Sequence, residues 1–248
     1  VLTWVAHLNE ALSIIHRRGQ RHLDIKPANL ALDHERKVLK VLDFGCVRSC
    51  AYDESHTLVG APGWQAPEQM GLTVEGAHAE AKFSSPQTDY FAVGLVLHYL
   101  VTRRVLRYTE LGREHQREAG NAISRAVRNG LIVLPEAERQ AFQSAFTRSA
   151  VQGDGVDPMR AAAASVRALK LLESLLQWDA RARPANAQKI AGELHAIEEH
   201  LAVSQDQPDA KSIAGDADGT LVQRVPPGTK PPYSGKTHGD DTLSAGKH

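Results

Sequence analysis

A mostly helical domain carrying one small β-hairpin, followed by a disordered tail, is the fold class this sequence predicts. Three observations carry it. Apolar residues recur at helical spacing over most of residues 1–203, two short strand-like runs flank a polar turn at Asp33 to Lys37, and periodicity is lost from about residue 204.

The elements follow in order. Val1, Val5, Leu8, Leu12 and Ile15 share one helical face, and Gly19 is placed to stop that helix. Leu30-Ala31-Leu32 and Val38 to Leu42 read as strands around the polar turn, closing a hairpin. Residues 46–59 are mixed and polar, the composition of a mobile loop. Phe91 to Val101 is apolar on nearly every side, which predicts a buried helix. Helical patterns return over 115–149, at Val166, Leu169, Leu172 and Leu176, and at Ile190, Leu194, Ile197 and Leu201, with Gly153 to Pro158 interrupting as a loop. Segment 204–248 is rich in Gly, Pro, Asp, Lys and Ser and poor in large apolar groups, so it is expected to be disordered.

Composition narrows the function classes. With 248 residues, 42% apolar and 23% charged, the chain is long enough for one sizeable core plus a tail. Lys plus Arg equals Asp plus Glu at 29 each, so bulk charge offers no attraction to nucleic acid, and no nucleic-acid partner is expected. The longest apolar run, Phe91 to Leu97, is too short to span a bilayer. Cys46 and Cys50 are too few for a disulfide framework, which points to a reducing, cytoplasmic setting with spectator thiols.

The chemistry concentrates early. His22-Leu23-Asp24-Ile25-Lys26-Pro27-Ala28-Asn29, followed by Asp43-Phe44-Gly45, supplies a carboxylate base, a cation and two oxygen ligands at fixed offsets. Asp24 is the candidate to accept the proton of an attacking hydroxyl, and Lys26 could reach a transferred phosphate. Asn29 and Asp43 offer the oxygen donors that Mg²⁺ prefers, and a strand pair between them would bring both to one place. Taken singly, Asp-x-Lys is usually surface charge and Asp-Phe-Gly a turn after a strand.

Their order changes that reading. The two motifs resemble the catalytic and metal-binding loops of eukaryotic-type protein kinases, and further elements follow in family order. Gly60 to Glu68 is similar to the substrate-facing segment that ends in Ala-Pro-Glu. Asp89 resembles the helix aspartate that holds the catalytic loop by its backbone N–H groups. Arg183, in Arg181-Ala182-Arg183-Pro184, resembles the arginine paired with the Ala-Pro-Glu carboxylate, here Glu68. The resemblance covers residues 1–203 and implies a kinase-like large C-terminal lobe, with ATP and Mg²⁺ as cofactors and a protein Ser/Thr hydroxyl as acceptor. It makes Asp24 and Lys26 catalytic, Lys26, Asn29 and Asp43 nucleotide- and metal-binding, and His22, Glu68, Asp89 and Arg183 structural supports. Lys26-Pro27 favours the serine/threonine branch.

Three departures qualify the resemblance. Leu23 stands where many kinases carry an arginine that receives an activation-loop phosphate, so phosphorylation at Ser49, Tyr52, Ser55 or Thr57 is not expected to order the loop through that contact. Activation is then constitutive or driven by a regulatory partner. Ala61 replaces a threonine that links the segment to the catalytic aspartate and lysine, a hydrogen bond worth about 1 kcal/mol. No Gly-x-Gly-x-x-Gly occurs and the first lysine is Lys26, so the small lobe is expected to be absent and the chain to be a piece of a longer kinase.

Two other classes remain in view. A pseudokinase or scaffold would use the same fold to hold a partner; Leu23 and Ala61 favour it, and the intact Asp24, Lys26, Asn29 and Asp43 oppose it. A small-molecule kinase of the aminoglycoside or choline type shares the His-x-Asp-x-x-x-x-Asn arrangement, but Lys26, Asp43-Phe44-Gly45 and Ala66-Pro67-Glu68 argue against it.

Overall fold

Helix α1 (Leu2–Arg17) forms on the predicted apolar stripe, with Leu2, Val5, Leu8, Leu12 and Ile15 buried. The computed structural model describes residues 1–50, 59–72, 85–117 and 122–202. Residues 51–58 of the expected loop, with Tyr52, Ser55 and Thr57, lie outside them, as does the tail over 204–248.

Strand β1 (Gln20–Arg21) leads into the His22–Asn29 loop. The predicted hairpin then pairs β2 (Leu30–Asp33) with β3 (Val38–Val41) antiparallel, Leu30 opposite Val41 and Asp33 opposite Val38. Strand β3 stops one residue early, yet Leu42 N donates to Asn29 O at 2.8 Å, so the pairing reaches the residue before Asp43. A second antiparallel pair, unanticipated, joins β1 to β4 (Arg48–Ser49), where the buried Arg21 guanidinium bonds the Ser49 carbonyl. Two-residue strands carry no alternation for a sequence pattern to reveal.

Helix α2 (Gln87–Thr102) is buried at every position from Thr88 to His98, as its all-round apolar sequence predicts. It packs against α1 and against two later helices. At Gly94 the backbone comes close to one of them: a Cβ there would lie 2.9 Å from Leu175 Cβ.

The helical pattern expected over 115–149 resolves into three helices: α3 (Arg107–Arg117), α4 (Ala122–Arg128) and α5 (Glu136–Asp154). Asn129-Gly130 closes α4 with a turn and Pro135 starts α5, where Glu136 and Glu138 face the positive end of the helix dipole. Helix α5 continues through Gly153 and Asp154, so the predicted loop is shorter than read. Asp157 then caps α6 (Pro158–Leu175), its Oδ1 accepting from Met159 N at 2.9 Å and Arg160 N at 3.2 Å. Val166, expected on the core face, is 46% exposed, whereas Leu169, Leu172 and Leu176 are buried as predicted, joined by Ala161, Ala164 and Ala168. Helix α7 (Ala187–Leu201) buries Ile190, Leu194 and Ile197 as predicted. Among the described residues no helix is long and apolar enough to cross a membrane.

One buried titratable group lies in this core away from the loops. His98 on α2 is fully enclosed, stacked on Phe142 at 6.3 Å, with Glu138 Oε2 3.4 Å from Nε2 and Arg104 beyond. Burial pulls its pKa below the 6.5 usual for imidazole, against the opposing pull of Glu138. The unfolded chain therefore binds a proton that the folded chain resists, and the stability His98 contributes above pH 6.5 is lost as pH falls from 6.5 through the folded pKa. A stability–pH curve of His98→Asn should be flatter than wild type below that pH; identical slopes would show that other groups carry the dependence.

Candidate active site

The His22–Asn29 loop is suspended from α2. Asp89, in the first turn of that helix, is buried and accepts from His22 N at 2.8 Å (Oδ2) and from Leu23 N at 2.7 Å (Oδ1). His16, in the last turn of α1, places Nε2 2.8 Å from Asp89 Oδ2 and meets the Tyr90 ring edge-on at 5.3 Å. Burial pushes the Tyr90 phenol up to about 12, with Asp89 adding to the shift, so it stays protonated. His16 thus joins two helices to the loop anchor, a role its sequence setting, a basic residue at a helix end, does not signal.

With its backbone held this way, Leu23 adopts φ +66°, a left-handed conformation that branched side chains rarely take. Its side chain turns inward to Val59 and Cys46 and forms a small apolar cluster. The position where the resemblance leads one to look for a charged phosphate receptor is therefore dry and uncharged.

Asp24 follows, only 6% exposed. Its Oδ2 accepts from Lys26 Nζ at 2.8 Å and from Asn29 Nδ2 at 2.9 Å, and Asn29 Nδ2 also donates to Asp24 O at 2.9 Å. The other oxygen, Oδ1, is buried without a hydrogen-bond partner. His22 Nδ1 accepts from Asp24 N at 3.3 Å, and the His22 ring rests 5.3 Å from that of Phe44. The structure thus brings Asp24, Lys26 and Asn29 into direct contact. A lone buried acceptor is costly unless a donor visits it, and Oδ1 is such an acceptor.

Asp43 lies one residue beyond the Leu42–Asn29 backbone bond, with φ +56° and its Oδ1 accepting from Gly45 N at 3.1 Å. It is exposed, and Phe44 beside it is 54% exposed. For a cation, the donor chemistry fits Mg²⁺: Asn29 commits its amide nitrogen to Asp24 and keeps its oxygen, while Asp43 adds an open carboxylate. Among the described residues no group of three or more His, Cys, Asp or Glu could cage a metal. Mg²⁺ takes one or two protein oxygens and completes its shell with phosphates and water.

The Gly60–Glu68 segment sits behind the loop. Gly60 has φ +101°, and a Cβ there would strike the Leu23 carbonyl oxygen, so the segment can pass only with glycine at this point. Glu68, in the 3₁₀ turn Pro67–Met70, receives a two-pronged bond from Arg183, NH1 to Oε1 at 2.6 Å and NH2 to Oε2 at 2.9 Å. Tyr108 on α3, wholly buried and so with its phenol pKa raised well above the ordinary value, donates to Gln65 O at 2.8 Å. Gln69 completes the tie: Nε2 donates to Leu23 O at 2.9 Å and to Val59 O at 3.0 Å. Neither Tyr108 nor Gln69 is marked by any local pattern. Both cysteines are free, and burial raises the Cys50 pKa.

The sequence model of the protein kinase domain matches residues 1–194, and the chain belongs to that family. It is 27% identical over 234 residues to mitogen-activated protein kinase 12 of Rattus norvegicus, covering 88% of this chain and 56% of the relative. To a leaf rust 10 disease-resistance locus receptor-like protein kinase of Arabidopsis thaliana it is 27% identical over 258 residues, 98% of this chain and 35% of the relative. Serine/threonine-protein kinase F of Synechocystis matches a shorter stretch, 35% identical over 105 residues, 40% of this chain and 19% of the relative. The chain spans about half the length of these relatives or less.

Proposed function

We infer that residues 1–203 are the large lobe of a serine/threonine protein kinase, and that the intact protein transfers the γ-phosphate of ATP to a Ser or Thr hydroxyl of a protein. The observation that carries this reading is Asp24: one carboxylate oxygen held by Lys26 and Asn29, the other buried without a partner. An acceptor hydroxyl donating to Oδ1 would be oriented for attack. As the new O–P bond forms and the bond to the ADP oxygen breaks, the hydroxyl proton passes to Asp24. Lys26 stands beside the same carboxylate and can follow the transferred group as a point charge. Asn29 and Asp43 would hold Mg²⁺, which would supply neutralisation of the phosphate charge. His22, Asp89, Glu68 and Arg183 serve by holding the loop and the segment behind it. The chain spans about half the length of these relatives or less, which is in keeping with a piece of a longer protein.

Leu23 and Ala61 favour a second reading, a scaffold that binds a partner without phosphotransfer. Transfer of labelled phosphate from Mg·ATP to a Ser/Thr-containing protein acceptor separates the two. For the enzyme, Asp24→Asn should lower the rate by about 10²–10⁴-fold, the usual contribution of a positioned base. In the intact protein, transfer that is absent, or indifferent to Asp24→Asn, rejects the enzyme in favour of the scaffold.

A further inference from the structure

Gln69 is 2% exposed, and every hydrogen-bonding group of its amide is engaged. Oε1 accepts from Ala66 N at 2.9 Å, while the two N–H bonds of Nε2 go to Leu23 O and Val59 O. The first of these is the informative one. Leu23 O belongs to the peptide that joins Leu23 to Asp24, and the N–H of that same peptide donates to His22 Nδ1. Fixing this peptide plane fixes the direction in which Asp24 leaves the backbone.

The plane needs fixing, because Leu23 sits at φ +66°. A non-glycine residue stays in such a conformation only when its surroundings over-determine it. Asp89 holds the Leu23 N–H, Gln69 holds the C=O, and Val59 with Cys46 holds the side chain. Two of these three constraints, Gln69 and Val59, come from residues 59–70, and Gly60 leaves the Leu23 carbonyl room to meet Gln69. Leu23 itself can offer no charge through which the segment could be sensed.

We propose that Gln69 is a positioning residue that couples the 59–70 segment to Asp24 by fixing the Leu23–Asp24 peptide. The order of the segment is read by a neutral amide and an apolar contact rather than by a charged pair. This assignment rests on the kinase reading above for its consequence in catalysis, but the mechanical coupling is separable from it.

Amide hydrogen exchange on the whole chain tests the coupling without requiring activity. In Gln69→Met, exchange at His22 to Asp24 should quicken about tenfold together with the 59–70 amides, the factor expected for a buried hydrogen bond left unmade. Gln69→Glu should do the same at His22 to Asp24, since a carboxylate still accepts from Ala66 N but cannot donate to Leu23 O. Gln65→Met is the control: Gln65 Nε2 donates to the same Val59 O at 3.0 Å but not to Leu23, so the 59–70 amides should loosen while exchange at His22 to Asp24 rises clearly less than in Gln69→Met. Unchanged exchange at His22 to Asp24 in both Gln69 variants overturns the proposal. So does an equal effect from Gln65→Met, or a uniform rise that includes α6 and α7, which marks an ordinary core residue. In the phosphotransfer assay, Gln69→Met should lower kcat about tenfold with KM for ATP unchanged. If the intact wild-type protein transfers nothing, the kinase reading falls and the exchange pattern still decides the coupling.

Discussion

Replacing Arg183 by methionine is expected to lower the stability of the domain by about 3–5 kcal/mol, the loss typical of a buried ion pair stripped of one partner. The side chain of Arg183 is wholly enclosed and all five of its N–H donors are used. Two go to Glu68, and three go to the backbone carbonyls of Gln177, Gln87 and Trp178 at 2.7, 3.0 and 2.9 Å. The guanidinium also lies 4.9 Å above the Phe91 ring. Methionine preserves much of the volume but removes all five donors that Arg183 supplies to Glu68 and the three carbonyls. Glu68→Gln should cost less, because Arg183 keeps its carbonyl partners and the Glu68 side chain is 17% exposed. Urea unfolding of the two variants measures both; a loss below about 1 kcal/mol for Arg183→Met would place the pair among weak surface bridges instead.

The second large effect is expected at Asp89. Asp89→Asn keeps the shape but replaces one carboxylate oxygen by an NH₂ group facing a backbone N–H, so His22 N or Leu23 N loses its acceptor. A destabilisation of about 2–4 kcal/mol follows from a lost charge-assisted bond and a buried donor left unpaired. The loss should be local first: exchange at His22 and Leu23 should accelerate well before that of α6 or α7. Asp24-dependent phosphotransfer should fall with it, because the strained φ of Leu23 depends on the same anchor. Wild-type exchange at those two amides in Asp89→Asn would show that the loop holds its shape unaided.

The two effects differ in how far their origin could be read from sequence. Asp24, Lys26 and Asn29 were legible because they lie within six residues of one another, so any fold that closes the loop keeps them near. The hairpin and the buried α2 were legible because periodicity and all-round hydrophobicity are local signals. Glu68 and Arg183 stand 115 residues apart, and only the family resemblance suggested that they meet. His16 and Gln69 carried no signal at all. A histidine ending a helix and a glutamine after Ala-Pro-Glu look like solvated side chains until the chain folds around them. Val166 failed in the other direction: it is exposed, while Leu169 and Leu172 of the same helix are buried beside Ala161, Ala164 and Ala168.

The sequence by itself determined the buried helix and the hairpin, because these rest on short-range spacing and on side-chain chemistry, while the reaction class to consider followed from the family resemblance. Only the tertiary structure decided how Asp24 is aimed. That direction depends on Asp89 from α2, His16 from α1 and Gln69 from the segment behind, converging on one strained residue, Leu23. Hydrogen bonds between residues 46 to 73 positions apart leave no periodic trace in a chain. They exist because burying a polar group demands a partner, and packing chooses which one.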